Sequence, residues 1–126
     1  MTDDFNKLTE KIYQYEIDKA LHLGRVGIEK ESLRVIDKQI AKSNHQKSLG
    51  SPLCHQYITT DFSESQLELI TPPFADKKIG LDFLDNIHHF VSHKINDEII
   101  WPFSVPPLIQ SDSKIPIASY GSSNLG

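Results

Sequence analysis

Arg25-Val26-Gly27-Ile28-Glu29-Lys30-Glu31-Ser32-Leu33-Arg34-Val35-Ile36 is the stretch on which the fold turns. It reads as a strand, with side chains alternating between two faces. Glu29 and Glu31 then share a face with Gly27 and Leu33, while Ile28 and Lys30 point the other way. A second strand is predicted over residues 65–71, Ser-Gln-Leu-Glu-Leu-Ile-Thr, and stops at Pro72-Pro73 because proline cannot donate to a sheet ladder. Here Gln66, Glu68 and Ile70 share one face and Leu67 and Leu69 the other. Residues 56–60 begin an extended approach to Asp61. The polar residues 37–55 read as a β-turn or short hairpin followed by a loop.

Helices flank these strands. Over residues 3–23, Phe5, Leu8, Ile12 and Tyr15 recur at three- and four-residue spacing, with Ile17, Ala20 and Leu21 continuing the apolar surface. Thr2 or Asp3 can cap the start, and Gly24 is expected to end the helix in a left-handed turn. The stripe is expected to pack in the core. A second long helix is predicted over residues 76–98, with Asp76 as N-cap and Leu81, Leu84, Ile87 or His88, Val91 and Ile95 as its apolar stripe. The aromatic and proline-rich Trp101–Pro107 must then be extended or turned. The order helix, strand, strand, helix predicts an α+β domain with an antiparallel sheet.

The chain's 126 residues suffice for one domain with one core. A formal net charge of −4 makes a nucleic-acid surface a poor expectation. No apolar run approaches the roughly 20 residues that a membrane helix needs. The acidic start Met1-Thr2-Asp3-Asp4 lacks the pattern of a signal peptide, and the single cysteine, Cys54, allows no internal disulfide. A cytoplasmic protein is the simplest expectation. The last eight residues, Ser119 to Gly126, are turn-rich with no closing element, which predicts truncation at the C-terminus.

Two features carry chemistry. Glu29 and Glu31 lie about 7 Å apart on one strand face, where like charges raise each other's pKa unless a cation neutralises them. From the residues alone the pair reads either as a solvated strand face or as half of a nucleotide–metal site for a hard, oxygen-seeking cation such as magnesium. Glu68 sits between two leucines and needs a partner. If its strand lies beside the first, it joins Glu29 and Glu31, with Asp61 in support; otherwise it marks the polar face of an edge strand.

Gly27-Ile28-Glu29-Lys30-Glu31-Ser32-Leu33-Arg34-Val35 resembles the opening Glu-x-Glu strand of the proteobacterial glutamate–cysteine ligases. Ile58-Thr59-Thr60-Asp61-Phe62-Ser63-Glu64 through Glu68-Leu69-Ile70-Thr71-Pro72 is similar to the next signature of that family. Asp97-Glu98 with Trp101-Pro102, and Tyr120-Gly121-Ser122-Ser123-Asn124, are similar to the third and fourth. The four blocks occur in order. The resemblance implies a glutamine-synthetase-like antiparallel sheet flanked by helices, incomplete in this chain. Residues 1–126 would be the N-terminal portion of a single catalytic domain, inactive alone. It implies ATP-dependent ligation of L-glutamate to L-cysteine through a γ-glutamyl phosphate, the first step of glutathione biosynthesis. It further implies that Glu29, Glu31 and Glu68 hold Mg2+ against the ATP phosphates, and that Thr60, Asp61 and Phe62 lie in the block lining the amino-acid pocket. A non-catalytic Mg-nucleotide binding module and an inactive remnant are the rival readings.

Other features are read as structural. His89 and His93 stand at i and i+4, a zinc-compatible spacing with no obvious third ligand, and a solvated or packed helix face is expected. Cys54 has no adjacent basic partner. Trp101 is expected in the core or at an interface. Lys30 and Arg34 alternate away from the glutamate face, while Arg25 stands near it.

Overall fold

The computed structural model describes residues 2–109, 111 and 114–120. Its centre is the strand anticipated above, β1 (Glu29–Ile36), and the second strand, β4 (Gln66–Ile70), which pairs with it antiparallel. β2 (Gln39–Ile40) and β3 (Ile58–Thr60) complete a sheet of order β2-β1-β4-β3, and β5 (Ile99–Ile100) pairs with β1 at Arg34 and Val35. The regular ladder begins at Glu29, not Arg25. Residues 26–28 still run beside 71–74, through a Val26–Phe74 bridge and the bond from Ile28 N to Thr71 Oγ1. Pro72 and Pro73 have no N–H to offer, so pairing there is intermittent.

β1 and β2 form a tight hairpin, because Ile36 pairs with Gln39 across Asp37-Lys38. Both turn residues have positive φ, 50° and 64°, the backbone of a type I′ turn, whose twist matches that of the strands. β5 is a departure from the sequence reading, which carried the second helix to residue 98. The helix, α3 (Lys77–Lys94), ends earlier, and left-handed Asn96 turns the chain back to the sheet. Asp76 caps α3 as expected, accepting from Lys78 N at 2.8 Å.

α3 lies on the sheet face that carries Leu67 and Leu69. Its Ile87, Val91 and Ile95 form one buried cluster with those leucines, Leu49 and Ile58, bordered by Tyr57, Phe83, Leu84 and Ile100. Leu81 departs from the expected stripe and is exposed. One turn above Leu84 the inward position is Gly80, where an added Cβ would lie 3.5 Å from the Phe74 ring. The aromatic side chain fills the space that the leucine was expected to take.

The N-terminal helix is the larger correction. It is split into α1 (Thr2–Gln14) and α2 (Ile17–His22) at Glu16, a left-handed residue with φ 52°. Gly24 is not left-handed, and Asp3 lies inside the first turn, paired with Lys7. The expected core packing is not found: Phe5, Leu8, Tyr15, Ile17 and Leu21 are all exposed. Helical spacing identifies a stripe but does not say what covers it. No helix of the described residues is long and apolar enough to cross a membrane.

Two half-buried histidines, His45 and His88, are expected to make the fold acid-sensitive. Burial holds the pKa of His88 below its usual value, helped by the Lys30 ammonium on the α3-facing side of β1 and by His89, and opposed by Asp85. Burial and the Arg34 charge do the same to His45, against Glu64. Neither ring nitrogen of His45 makes a hydrogen bond of normal geometry, although the Gly50 backbone lies close enough to favour the charged ring. A histidine whose pKa falls on folding binds protons more readily when unfolded. Its stability contribution is therefore complete above about pH 6.5 and is lost as pH drops through that value. Thermal unfolding at pH 7.5 and 5.5 is expected to show a lower midpoint at 5.5, with a smaller drop in the H45Q/H88Q double variant. An equal drop in that variant would exclude the histidines as its cause.

Candidate functional site

The face of the sheet opposite α3 collects the acidic residues. Strand alternation sends Glu29, Glu31 and Leu33 of β1 to that face, and the β1–β4 register sets Glu31 directly across from Glu68. Glu29 pairs with Ile70, and Leu33 with Gln66. On the other side of β4, Thr59 lies opposite Glu68. Directly opposed residues share a face, so Glu29, Glu31, Glu68, Thr59 and Gln66 form one surface.

Asp61 joins them from the β3–β4 loop. Its N–H donates to Gln66 O at 3.0 Å, and its Oδ2 accepts from Gln66 Nε2 at 2.7 Å. The same amide nitrogen donates to Glu31 Oε2 at 2.9 Å. The electrostatic consequence falls on Glu68. Partial burial, and then the charges of Glu29, Asp61 and Glu31, push its carboxyl above the ordinary glutamate value. Among the described residues no Lys or Arg forms an ion pair with Glu29, Glu31 or Glu68. Nor, among them, do three His, Cys, Asp or Glu side chains converge closely enough to hold a metal ion as they stand. The backbone aligns the three glutamates, but their side chains are not drawn onto one point.

Two of the three pocket residues named from the sequence stand apart. Thr60 pairs with Leu67, so its side chain is buried on the α3 side, 3.4 Å from the Tyr120 hydroxyl. That hydroxyl donates to the carbonyls of Thr60 and Asp61. Phe62 is exposed at the start of the hairpin loop. Thr59 and Gln66 were not singled out for the site, yet both line it. The signal was available, since the period of two that placed Glu68 places them with it.

Beside Glu31 the surface deepens into a cavity lined by Glu31, Leu33, Gln66, Trp101, Phe103 and Pro106. Trp101 is half-buried, packed edge-on against Phe103 at 5.1 Å, with its indole N–H donating to Val105 O.

Lys30 lies on the α3-facing side, bonded to Ser32 Oγ at 2.5 Å. Arg34 is fully buried and ion-paired with Glu98, which also accepts from Ser43 Oγ at 2.7 Å. The guanidinium donates further to the carbonyls of Ser43 and Glu64, at 2.7 and 2.8 Å. Glu64 in turn accepts from the backbone N–H groups of His45 and Ser119, each at 2.6 Å. This knot anchors the hairpin loop that carries Asp61. Asp97 and Glu98 were quoted from the sequence only for their resemblance; the structure makes Glu98 a buried counter-ion. His89 and His93 lie exposed on α3, with His89 3.6 Å from Asp85. Of the Tyr120–Asn124 block, residues 121–124 lie outside the described residues.

Comparison with known proteins places these features in a family. The family model described as glutamate-cysteine ligase matches residues 9–126. Glutamate–cysteine ligase of Alcanivorax borkumensis is 50% identical over 103 residues, covering 81% of this chain and 20% of that protein. The Wigglesworthia glossinidia brevipalpis ligase is 52% identical over 101 residues, covering 79% and 20%. The crystal structure of Francisella tularensis glutamate–cysteine ligase in complex with AMP superimposes with a TM-score of 0.74 at 42% identity, over 80% of this chain and 20% of that one. The chain thus spans about a fifth of the length of the curated relatives it matches.

Proposed function

The chain belongs to the glutamate–cysteine ligase family, and from that premise we propose that residues 1–126 are the N-terminal portion of its catalytic domain. In this reading the whole enzyme joins the γ-carboxylate of L-glutamate to the amine of L-cysteine with ATP. The γ-carboxylate displaces ADP at the γ-phosphate, and the amine then displaces phosphate from the acyl phosphate. This is the committed first step toward glutathione, and a cytoplasmic setting follows from the substrates.

The observation that carries the reading is the shared face of Glu29, Glu31 and Glu68, with Glu31 and Glu68 in direct register. The donors fit a hard cation by type. All are carboxylate oxygens; burial and then their mutual repulsion raise Glu68, and among the described residues no Lys or Arg is ion-paired with any of the three. Glu29, Glu31 and Glu68 would hold Mg2+. When bound, that ion supplies charge neutralisation for the phosphate oxygens. Asp61, held at the edge of the carboxylate face, would orient the ammonium of an amino-acid substrate. Thr60 would act through the backbone carbonyl that Tyr120 holds, and Phe62 would cover the pocket from the loop. Arg34 is committed to Glu98 and Lys30 to Ser32, so neither would clamp the phosphates. Arg25, the third basic residue named near the site, is exposed and has no ion pair among the described residues.

Titration of an intact ligase carrying this segment with Mn2+ as a spin-active stand-in, with and without ATP, tests the site. Saturable binding that weakens in E29Q, E31Q and E68Q is expected. Absence of saturable binding, or equal binding by all four proteins, would remove the cation from this face.

A further inference from the structure

Among the described residues, Gln66 hydrogen-bonds two members of the acidic surface at once: Glu31 Oε2 at 2.9 Å and Asp61 Oδ2 at 2.7 Å. Ionised carboxylates only accept, so the amide nitrogen, with its two protons, must face both of them. The amide oxygen in that position would meet two anions. The backbone fixes the base of the side chain as well. Gln66 N donates to Ser63 O and Gln66 O accepts from Asp61 N, each at 3.0 Å. Asp61 is therefore gripped twice by one residue, through the main chain and through the side chain.

Gln66 is also the first residue of β4, diagonal to Glu31 across the β1–β4 ladder. No shorter polar side chain at that position spans both carboxylates. A charged donor such as lysine would neutralise the acidic surface and compete with a cation. A neutral two-proton donor can hold two anions in place and leave their charge intact.

Resting on the metal reading above, we propose that Gln66 is a positioning residue that fixes Glu31 for its cation, braced against Asp61. One glutamate oxygen, Oε2, is held by the amide, which leaves Oε1 to ligate. Partners of this kind behind a ligating carboxylate commonly change metal affinity by roughly 10- to 100-fold when removed.

The test uses an intact ligase carrying this segment, with Mn2+ alone, read as the loss of the free-ion EPR signal. Q66M keeps the side-chain length and removes the donor, and is expected to bind roughly 10- to 100-fold more weakly. Q66N keeps an amide that reaches at most one carboxylate, and is expected to fall between Q66M and the parent. In an E31Q background, Q66M is expected to add no further loss, because the residue acts through Glu31. A purely structural role would weaken both backgrounds by the same factor, and that result would overturn the proposal. So would Mn2+ affinities within about twofold of the parent in Q66M. Should Q66M fail to fold, parent-like affinity in Q66N overturns it instead. Failure of the intact parent enzyme to bind Mn2+ is a different outcome, which removes the metal reading and this inference with it.

Discussion

Glu68→Gln, placed in an intact ligase carrying this segment, is expected to cut turnover on the order of 10³-fold, about 4 kcal/mol of transition-state stabilisation. The thermal midpoint of the metal-free protein is expected to stay at or above that of the parent. The two halves of this result have one origin. Partial burial first, and then the charges of Glu29, Asp61 and Glu31, push the Glu68 carboxyl above the usual range. A carboxyl whose pKa rises on folding holds its proton more tightly in the folded state. Its ionised form therefore subtracts stability as pH rises through the folded pKa. Glutamine cannot ionise, so the variant escapes that penalty at neutral pH while losing a charged oxygen donor. Steady-state kinetics across a magnesium series, with calorimetric melting of the metal-free proteins, checks both halves. A loss of turnover that follows a loss of stability would mean that Glu68 serves the fold. Unchanged turnover would remove it from the metal ligands.

Glu98→Ala is expected to destabilise the fold by about 3–5 kcal/mol, because it leaves the Arg34 guanidinium buried and unpaired. That is a large part of the roughly 5–15 kcal/mol that holds a domain together. Arg34 is 0% exposed and Glu98 8%, so solvent cannot replace the lost partner. The remaining bonds, to Ser43, Asn44 and Glu64, are mostly to carbonyls and do not neutralise the charge. Replacing both members, as R34M/E98L, should recover much of the loss, since apolar packing can substitute for a buried pair but not for half of one. Denaturant unfolding of E98A, R34M and the double variant measures this. A loss below about 1 kcal/mol in E98A would show that Arg34 keeps its balance without it.

Sequence patterning exposed the sheet because its signal is local. Alternation along residues 25–36 and 65–71 set the faces, and the proline pair set the end of the second strand. Pairing those strands brought Glu68 opposite Glu31, one of the two arrangements left open for it. The exposed α1–α2 stripe was not legible, because spacing shows that a face is apolar and not what lies against it. β5 escaped because two residues carry no period. Arg34 looked like an ordinary strand residue; its role depends on Glu98, and such a contact leaves no mark in the sequence around either residue. Thr60 and Phe62 entered through a motif, whereas Thr59 and Gln66 occupy the acidic face through geometry.

The alternation of β1 also sets a rule for length changes. The strand carries acids on one face, and Lys30, Ser32 and Arg34 on the other, so neither side is free to slide. With Leu33 and the residues after it held in register, deleting Ser32 would turn Glu29 and Glu31 toward α3 and bring Lys30 onto the acidic surface. Most single substitutions leave the remaining side chains where they were; a single deletion inverts the facing of every strand residue on one side of it. Across variants of this segment, insertions and deletions should therefore cluster in the stretch around Ser51–Gln56 and be missing from β1, even where β1 accepts a change of residue.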